Sequence, residues 1–317
     1  ANRVSNFSFN IYRMSLPVSK FNFLMNTNIR SFAFCLIACL LVCSQSWAQR
    51  GPQDTWYETA RVAMPSGCFP QDLIVTPEGT LLLSDRGNHK IHELDENGSL
   101  IRSFGSAGSG NGQFNSPIEI AISPENRIYV ADTTNHRIQI LERNGTFVKT
   151  FGSNGTGDGQ FNKPRGLAIS SDNEVYVSEV GNHRVQVFDA NGTFLRKWGS
   201  LGNLEGQLNS PISLDVDSTG KVFVAEEINN RISVFLQNGD FLFKFNTSRF
   251  HDHKRISFLK VYQTGILATG GETITGSENL LRLREKNGDA LLTAKINSAN
   301  NGQSSPSTQL KDGTIVF

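Results

Sequence analysis

Four carboxylates, Asp85, Asp132, Glu179 and Glu226, stand 47 residues apart, and each is followed five residues later by a base: Lys90, Arg137, Arg184 and Arg231. Three of the sets place a histidine just before the base, at His89, His136 and His183. An acid, an imidazole and a cation so close together can move a proton or hold an anion, so each set taken alone has the makings of a catalytic centre. Taken as a column they read differently, because chemistry is needed once and these recur in every unit. The recurrence points to a carboxylate–guanidinium fork that ties a loop to its own unit or to its neighbour. Asn88, Asn135 and Asn182 keep the same register three residues after each acid, and the histidines are expected to cap or pack in that loop.

The elements that position these residues share the period. Pro70, Pro117, Pro164 and Pro211 keep the 47-residue interval, as do Gly98, Gly145, Gly192 and Gly239, and the aromatic Phe104, Phe151, Trp198 and Phe245. A fixed period of that order marks a repeat architecture. Within a unit, the runs Ile118 to Ile122, Arg127 to Ala131, Arg137 to Leu141 and Thr146 to Phe151 read as four short strands. Asn-Gly pairs (Asn97-Gly98, Asn144-Gly145, Asn191-Gly192, Asn238-Gly239) separate the third strand from the fourth. That dipeptide suits a type I′ hairpin and makes the two strands antiparallel neighbours. A Gly-rich connection and Gln-Phe-Asn-x-Pro (Gln113 to Pro117, Gln160 to Pro164) lead to the next inner strand. Four strands per unit is one propeller blade, and a composition of 38% hydrophobic and 19% charged residues suits one globular all-β unit.

Ile128 to Asp132 with Asn135 to Ile140, and Val175 to Val177 with Asn182 to Phe188, resemble the NHL repeat almost letter for letter. The resemblance is strong over residues 68 to 247 and weaker beyond, where Leu280 stands in the place of the repeat's Arg. It implies an all-β propeller of four-stranded antiparallel blades, six in number. The blades are expected at about 68–105, 115–152, 162–199, 209–246 and 256–296, within a domain spanning 54–317. A partial sixth is expected at 308–317, and residues 56–62 are expected to close the ring as an outer strand.

Residues Met25 to Arg30 form a short basic lead, Ser31 to Cys43 an apolar core and Ser46-Trp47-Ala48 a small-x-small cleavage site, together a signal peptide over 25–48. The core is too short to span a membrane, so the protein is expected to be secreted or periplasmic, with 1–24 as a mis-called upstream segment. A second reading lipidates Cys39, against which the apolar run on to Cys43 argues. Residues 1–48 carry four bases (Arg3, Arg13, Lys20, Arg30) and no acids, so the remainder holds 26 basic against 29 acidic residues and gives no reason to expect nucleic acid. The leader also holds three of the four cysteines; Cys68 is left without an internal disulfide partner and is expected as a small buried residue.

Function is expected where the units differ. The residues after each Pro should ring the channel mouth: Gln71 and Asp72, Ile118 and Glu119, Arg165 and Gly166, Ile212 and Ser213. The resemblance favours Gly at the second place, so Asp72 and Glu119 bring two carboxylates beside Arg165. They would suit a divalent cation (Ca or Zn) or a basic ligand group, against the plainer reading of a solvated rim. Their replacement by Gly is expected to leave folding intact. His251 and His253 alternate in the fourth connection and are weak metal candidates, opposed by Arg249, Lys254 and Arg255. The resemblance implies two classes of function. One is a monomeric binding scaffold for a protein, peptide or cell-envelope ligand. The alternative is a metal-dependent enzyme similar to peptidyl-hydroxyglycine amidating lyase or a lactonase-like hydrolase; the scaffold is the expectation, with no catalytic residue assigned.

Overall fold

The computed structural model describes residues 8–14, 56–63, 66–95, 98–246, 253–261, 266–273, 279–285, 290–296 and 314–316. Four four-stranded antiparallel sheets follow one another along the chain, each running from inner to outer strand in sequence order. Their inner strands are Pro70–Val75, Pro117–Ile122, Pro164–Ile169 and Pro211–Val216. The second and third strands of the blades, such as Val175–Glu179 and Arg184–Phe188, are buried, apart from the half-buried Lys90 and Arg137 that open two of the third strands. The outer strands, such as Phe241–Asn246, alternate between half-buried and exposed. A pattern of that kind places the apolar payload on the faces between blades.

The core clusters lie there. Leu82 and Ile91 of the first sheet pack with Ile120, Ile128 and Val130 of the second. Tyr129 and Ile138 pack with Leu167, Val175 and Phe188 of the third, and Tyr176 and Val187 with Leu214 and Phe235 of the fourth. Each blade therefore completes its core only against a neighbour, as a radial repeat must. Successive inner strands adjoin one another, from the first blade to the strand His253–Val261 of a fifth sheet. The fold is an all-β propeller of four-stranded antiparallel blades.

The hairpin turns differ from the sequence expectation. Gly145 N–H donates to Glu142 O (2.8 Å), Glu142 N–H to Thr146 O (2.8 Å), and the same pair of bonds recurs at Asp189–Thr193 and Leu236–Asp240. Only the glycine is left-handed, at φ 89, 79 and 94° for Gly145, Gly192 and Gly239. This is the three-residue loop of a type I turn closed by a left-handed glycine, with the register shift that a bulge brings. Asn-Gly marks the end of the turn, where positive φ is needed once.

The ends differ as well. Trp56–Ala63, expected to close the ring, pairs antiparallel with Ser8–Met14, inside the segment expected to lie outside the fold. Thr314–Val316, expected to open a sixth blade, lies parallel to Thr293–Lys295 at the edge of the fifth sheet. In both places a short β-favouring run has paired with an open strand edge.

Candidate functional site

The carboxylate column is a set of buried ties. Asp132, Glu179 and Glu226 are fully buried, and Arg137, Arg184 and Arg231 donate Nε to them at 2.8, 2.5 and 2.6 Å. Each guanidinium reaches on to the incoming Gly-rich connection, as when Arg137 Nη2 donates to Gly110 O and Gln113 O. Asn135, Asn182 and Asn229 donate to the same carboxylates and to Gly108, Gly155 and Gly202 carbonyls. Asp85 and Asn88 occupy the same places in the first blade, with Asn88 Nδ2 donating to Asp85 Oδ2 (2.9 Å).

The histidines tie one blade to the next. His89, His136 and His183 accept at Nδ1 from the backbone amides of Ser116, Lys163 and Ser210, at 3.0, 3.2 and 3.0 Å. All six residues have positive φ between 53 and 57°. The bond thus holds the left-handed residue that precedes each inner-strand proline, a conformation costing on the order of 1 kcal/mol that the clamp must offset.

The carboxylates expected at the channel mouth are not presented as ligand groups. Asp72 Oδ2 accepts from Ile120 N (3.1 Å) and Glu119 Oε2 from Leu167 N (2.6 Å), each in the next blade. Ser213 Oγ accepts from Leu259 N (3.1 Å) in the fifth sheet. These three occupy one register position, and all are buried. They supply acceptors to amides of inner strands that have no strand partner on that side. The fourth member of the register, Gly166, has no side chain to offer; a Cβ there would lie 2.9 Å from Leu214 N and 2.3 Å from Ser178 Oγ. Gln71 is half-buried, its amide donating to Pro70 O (3.0 Å).

Arg165 behaves otherwise. Its Nε is buried with no hydrogen-bond partner. Burial lowers its pKa below the ordinary guanidinium range, opposed by the charges of Glu119 and Glu227 and assisted by that of Arg86. The loops of the fourth blade carry exposed aliphatics: Leu201 at 62%, Leu204 at 66% and Ile228 at 61% exposure. The corresponding residues are Ala107, Gly110 and Thr134 in the second blade and Asn154, Gly157 and Gly181 in the third. Sequence reading missed this sector because it weighed the prolines' neighbours and not the loop tips. The signal was the loss of small residues at fixed places in the period.

Of the weak metal candidates, His251 lies outside the described residues, and His253 starts the fifth sheet's inner strand opposite Thr273. Within the first blade, Cys68, Asp85 and His92 offer donor atoms that all lie within 4.8 Å of one another. Cys68 is buried, and burial first, then the hydrogen bond and charge of Asp85, raise its thiol pKa far above the usual range. No helix among the described residues is long and apolar enough to cross a membrane.

Residues 114–141 and 161–188 match the NHL repeat family model. No curated protein sequence matches the chain. Solved structures of similar fold include a virginiamycin B lyase from Staphylococcus aureus (TM-score 0.54, 15% identity, covering 76% of this chain and 74% of that chain). A gluconolactonase from Xanthomonas campestris is similar at TM-score 0.51 and 16% identity, covering 69% and 78%. A chain of the nidogen/laminin complex is similar at 0.56 and 14%, covering 76% and 86%. Two enzymes and a chain of the nidogen/laminin complex share the architecture, which leaves activity to be argued from the site. Two repeat matches, four successive blades of one period and these structural neighbours support an NHL-repeat β-propeller family.

Proposed function

We propose that this propeller is an exported binding scaffold that takes a protein or peptide ligand on its loop-rich face, between the third and fourth blades. The observation that carries the reading is the exposed trio Leu201, Leu204 and Ile228 at places where the neighbouring blades carry small or polar residues. The trio belongs to one surface. Asn229, next to Ile228, donates to Gly202 O (2.9 Å), between Leu201 and Leu204, and Arg231 Nη2 donates to Leu204 O (3.3 Å). Glu227, on the other side of Ile228, is close enough to act on Arg165. An apolar side chain seated on the trio, with a carboxylate brought to Arg165, is the ligand chemistry this sector suits. Export rests on the leader over 25–48.

A metal-dependent lyase or lactonase finds less support at this face. Asp72 and Glu119 direct oxygens to backbone amides, and the Nδ1 atoms of His89, His136 and His183 are occupied in the same way. The test is selection of a displayed random-peptide library on the full chain. Retained peptides are expected to combine an aliphatic or aromatic residue with an acidic group and to be lost by Arg165→Met. Selection of basic peptides, or equal retention by the variant, would contradict the reading.

A further inference from the structure

The first blade solves the problem of its buried carboxylate differently from the other three. In those, an arginine neutralises the acid, and a glutamine or serine completes it: Gln139 and Gln186 donate Nε2 to Asp132 and Glu179, and Ser233 donates Oγ to Glu226. In the first blade the arginine's place is taken by Lys90, the glutamine's by His92, and that of the incoming Asn115, Asn162 and Asn209 by Cys68. Two of the three substituted side chains, Cys68 and His92, converge on Asp85. Among the described residues the one ion-pair partner of Asp85 is His92, Nε2 to Oδ2 at 3.0 Å, with no lysine or arginine within 4.0 Å. The amides of Phe69, Gly87 and Asn88 donate to Asp85 Oδ1 and hold the carboxylate as an anion, and the place of the guanidinium is left for another cation. Cysteine and histidine are the two side chains best suited to bring one as a transition metal.

We propose that Cys68, Asp85 and His92 form a zinc site that replaces the arginine tie of the other blades. The three come from three segments: Cys68 from the chain entering the propeller, Asp85 from the end of the second strand and His92 from the third. Sγ, a carboxylate oxygen and a ring nitrogen within 4.8 Å of one another give three of the four donors that zinc takes. His92 Nδ1 lies 2.7 Å from Ser103 Oγ, the outer partner that orients a ligating imidazole so that Nε2 faces the metal. Binding expels the Cys68 thiol proton to solvent, and His92 coordinates as neutral imidazole with its proton on Nδ1 toward Ser103. The ion would fix the entering chain to the first blade, as Arg137 fixes the Gly110–Gln113 connection to the second. The site is distinct from the channel and from the exposed sector of the fourth blade.

Zinc and cobalt loading of the full chain tests this. The expected results are one zinc per chain after dialysis, a thiolate-to-cobalt charge-transfer band on substitution with Co²⁺, and a higher Tm with metal than without. Cys68→Asn with His92→Gln, which installs the other blades' residues, should abolish all three. Lys90→Arg keeps every donor, yet should lower zinc affinity at least about tenfold by placing a guanidinium on Asp85. Ser103→Ala should weaken binding on the order of ten- to a hundredfold. Circular dichroism of each apo variant establishes folding, so that loss of metal is not loss of structure. No stoichiometric zinc, no thiolate band, or zinc retained by the Cys68→Asn, His92→Gln variant as an adventitious ion only would each overturn the proposal.

Discussion

The inner-strand column Asp72, Glu119, Gly166 and Ser213 and the loop tips Leu201, Leu204 and Ile228 both break the 47-residue pattern on the loop-rich face. In the column, each departure that adds an oxygen is buried and matched to a backbone amide of the next sheet. At the loop tips the departures add apolar area that remains exposed. A difference between repeats is therefore not by itself a sign of function. What separates the two regions is whether the molecule compensates the change internally, and the uncompensated one is where an outside partner gains most.

The comparison is best broken first at its structural extreme. Arg184→Ala strands Glu179 in the core without its guanidinium and should destabilise the protein by about 3–5 kcal/mol, read from urea denaturation. A loss well under 1 kcal/mol would deny that the repeated charges are ties. Next in size, Glu119→Gly removes the acceptor of Leu167 N and should cost about 1–3 kcal/mol, with Asp72→Gly acting in the same direction through Ile120 N. The sequence alone suggests the opposite, that restoring glycine is neutral, and unchanged denaturation midpoints would vindicate it.

The period and the order of strands within a blade were legible because each rests on local residue pattern: Ile118 to Ile122 reads as an inner strand without knowledge of its neighbours. The role of Glu119 was not, because its partner is the Leu167 amide one blade away, and no local pattern says which amides of an inner strand lack a partner. Asn144-Gly145 was half legible: the left-handed glycine follows from the sequence, while the turn that it closes starts at Glu142. Cys68 read as merely small and buried, since His92 and Asp85 join it only when the strands pair.

A smaller effect is expected from the outer ties. Arg196 donates to Glu174 at 2.5 Å, and this contact first, against burial and with help from Tyr176, holds the Glu174 carboxyl below its ordinary range. A depressed carboxylate contributes stability above its unfolded pKa and loses it as pH falls through the folded one. The stability difference between wild type and Arg196→Leu should therefore shrink on acidification through the acid range, from a starting value under about 1 kcal/mol, given that both side chains are partly exposed. A difference that grows toward low pH would contradict this assignment.

The smallest expected change in stability belongs to the sector held to carry function, and there affinity and stability must part company. Leu201→Ala, Leu204→Gly and Ile228→Thr together install the second blade's residues at three exposed positions. The most direct test of the account is the denaturation midpoint of this triple variant, measured alongside its affinity for peptides selected on the wild-type chain. The account predicts stability within about 0.5 kcal/mol per substitution of wild type and lost binding; intact binding, with or without a large loss of stability, would contradict it.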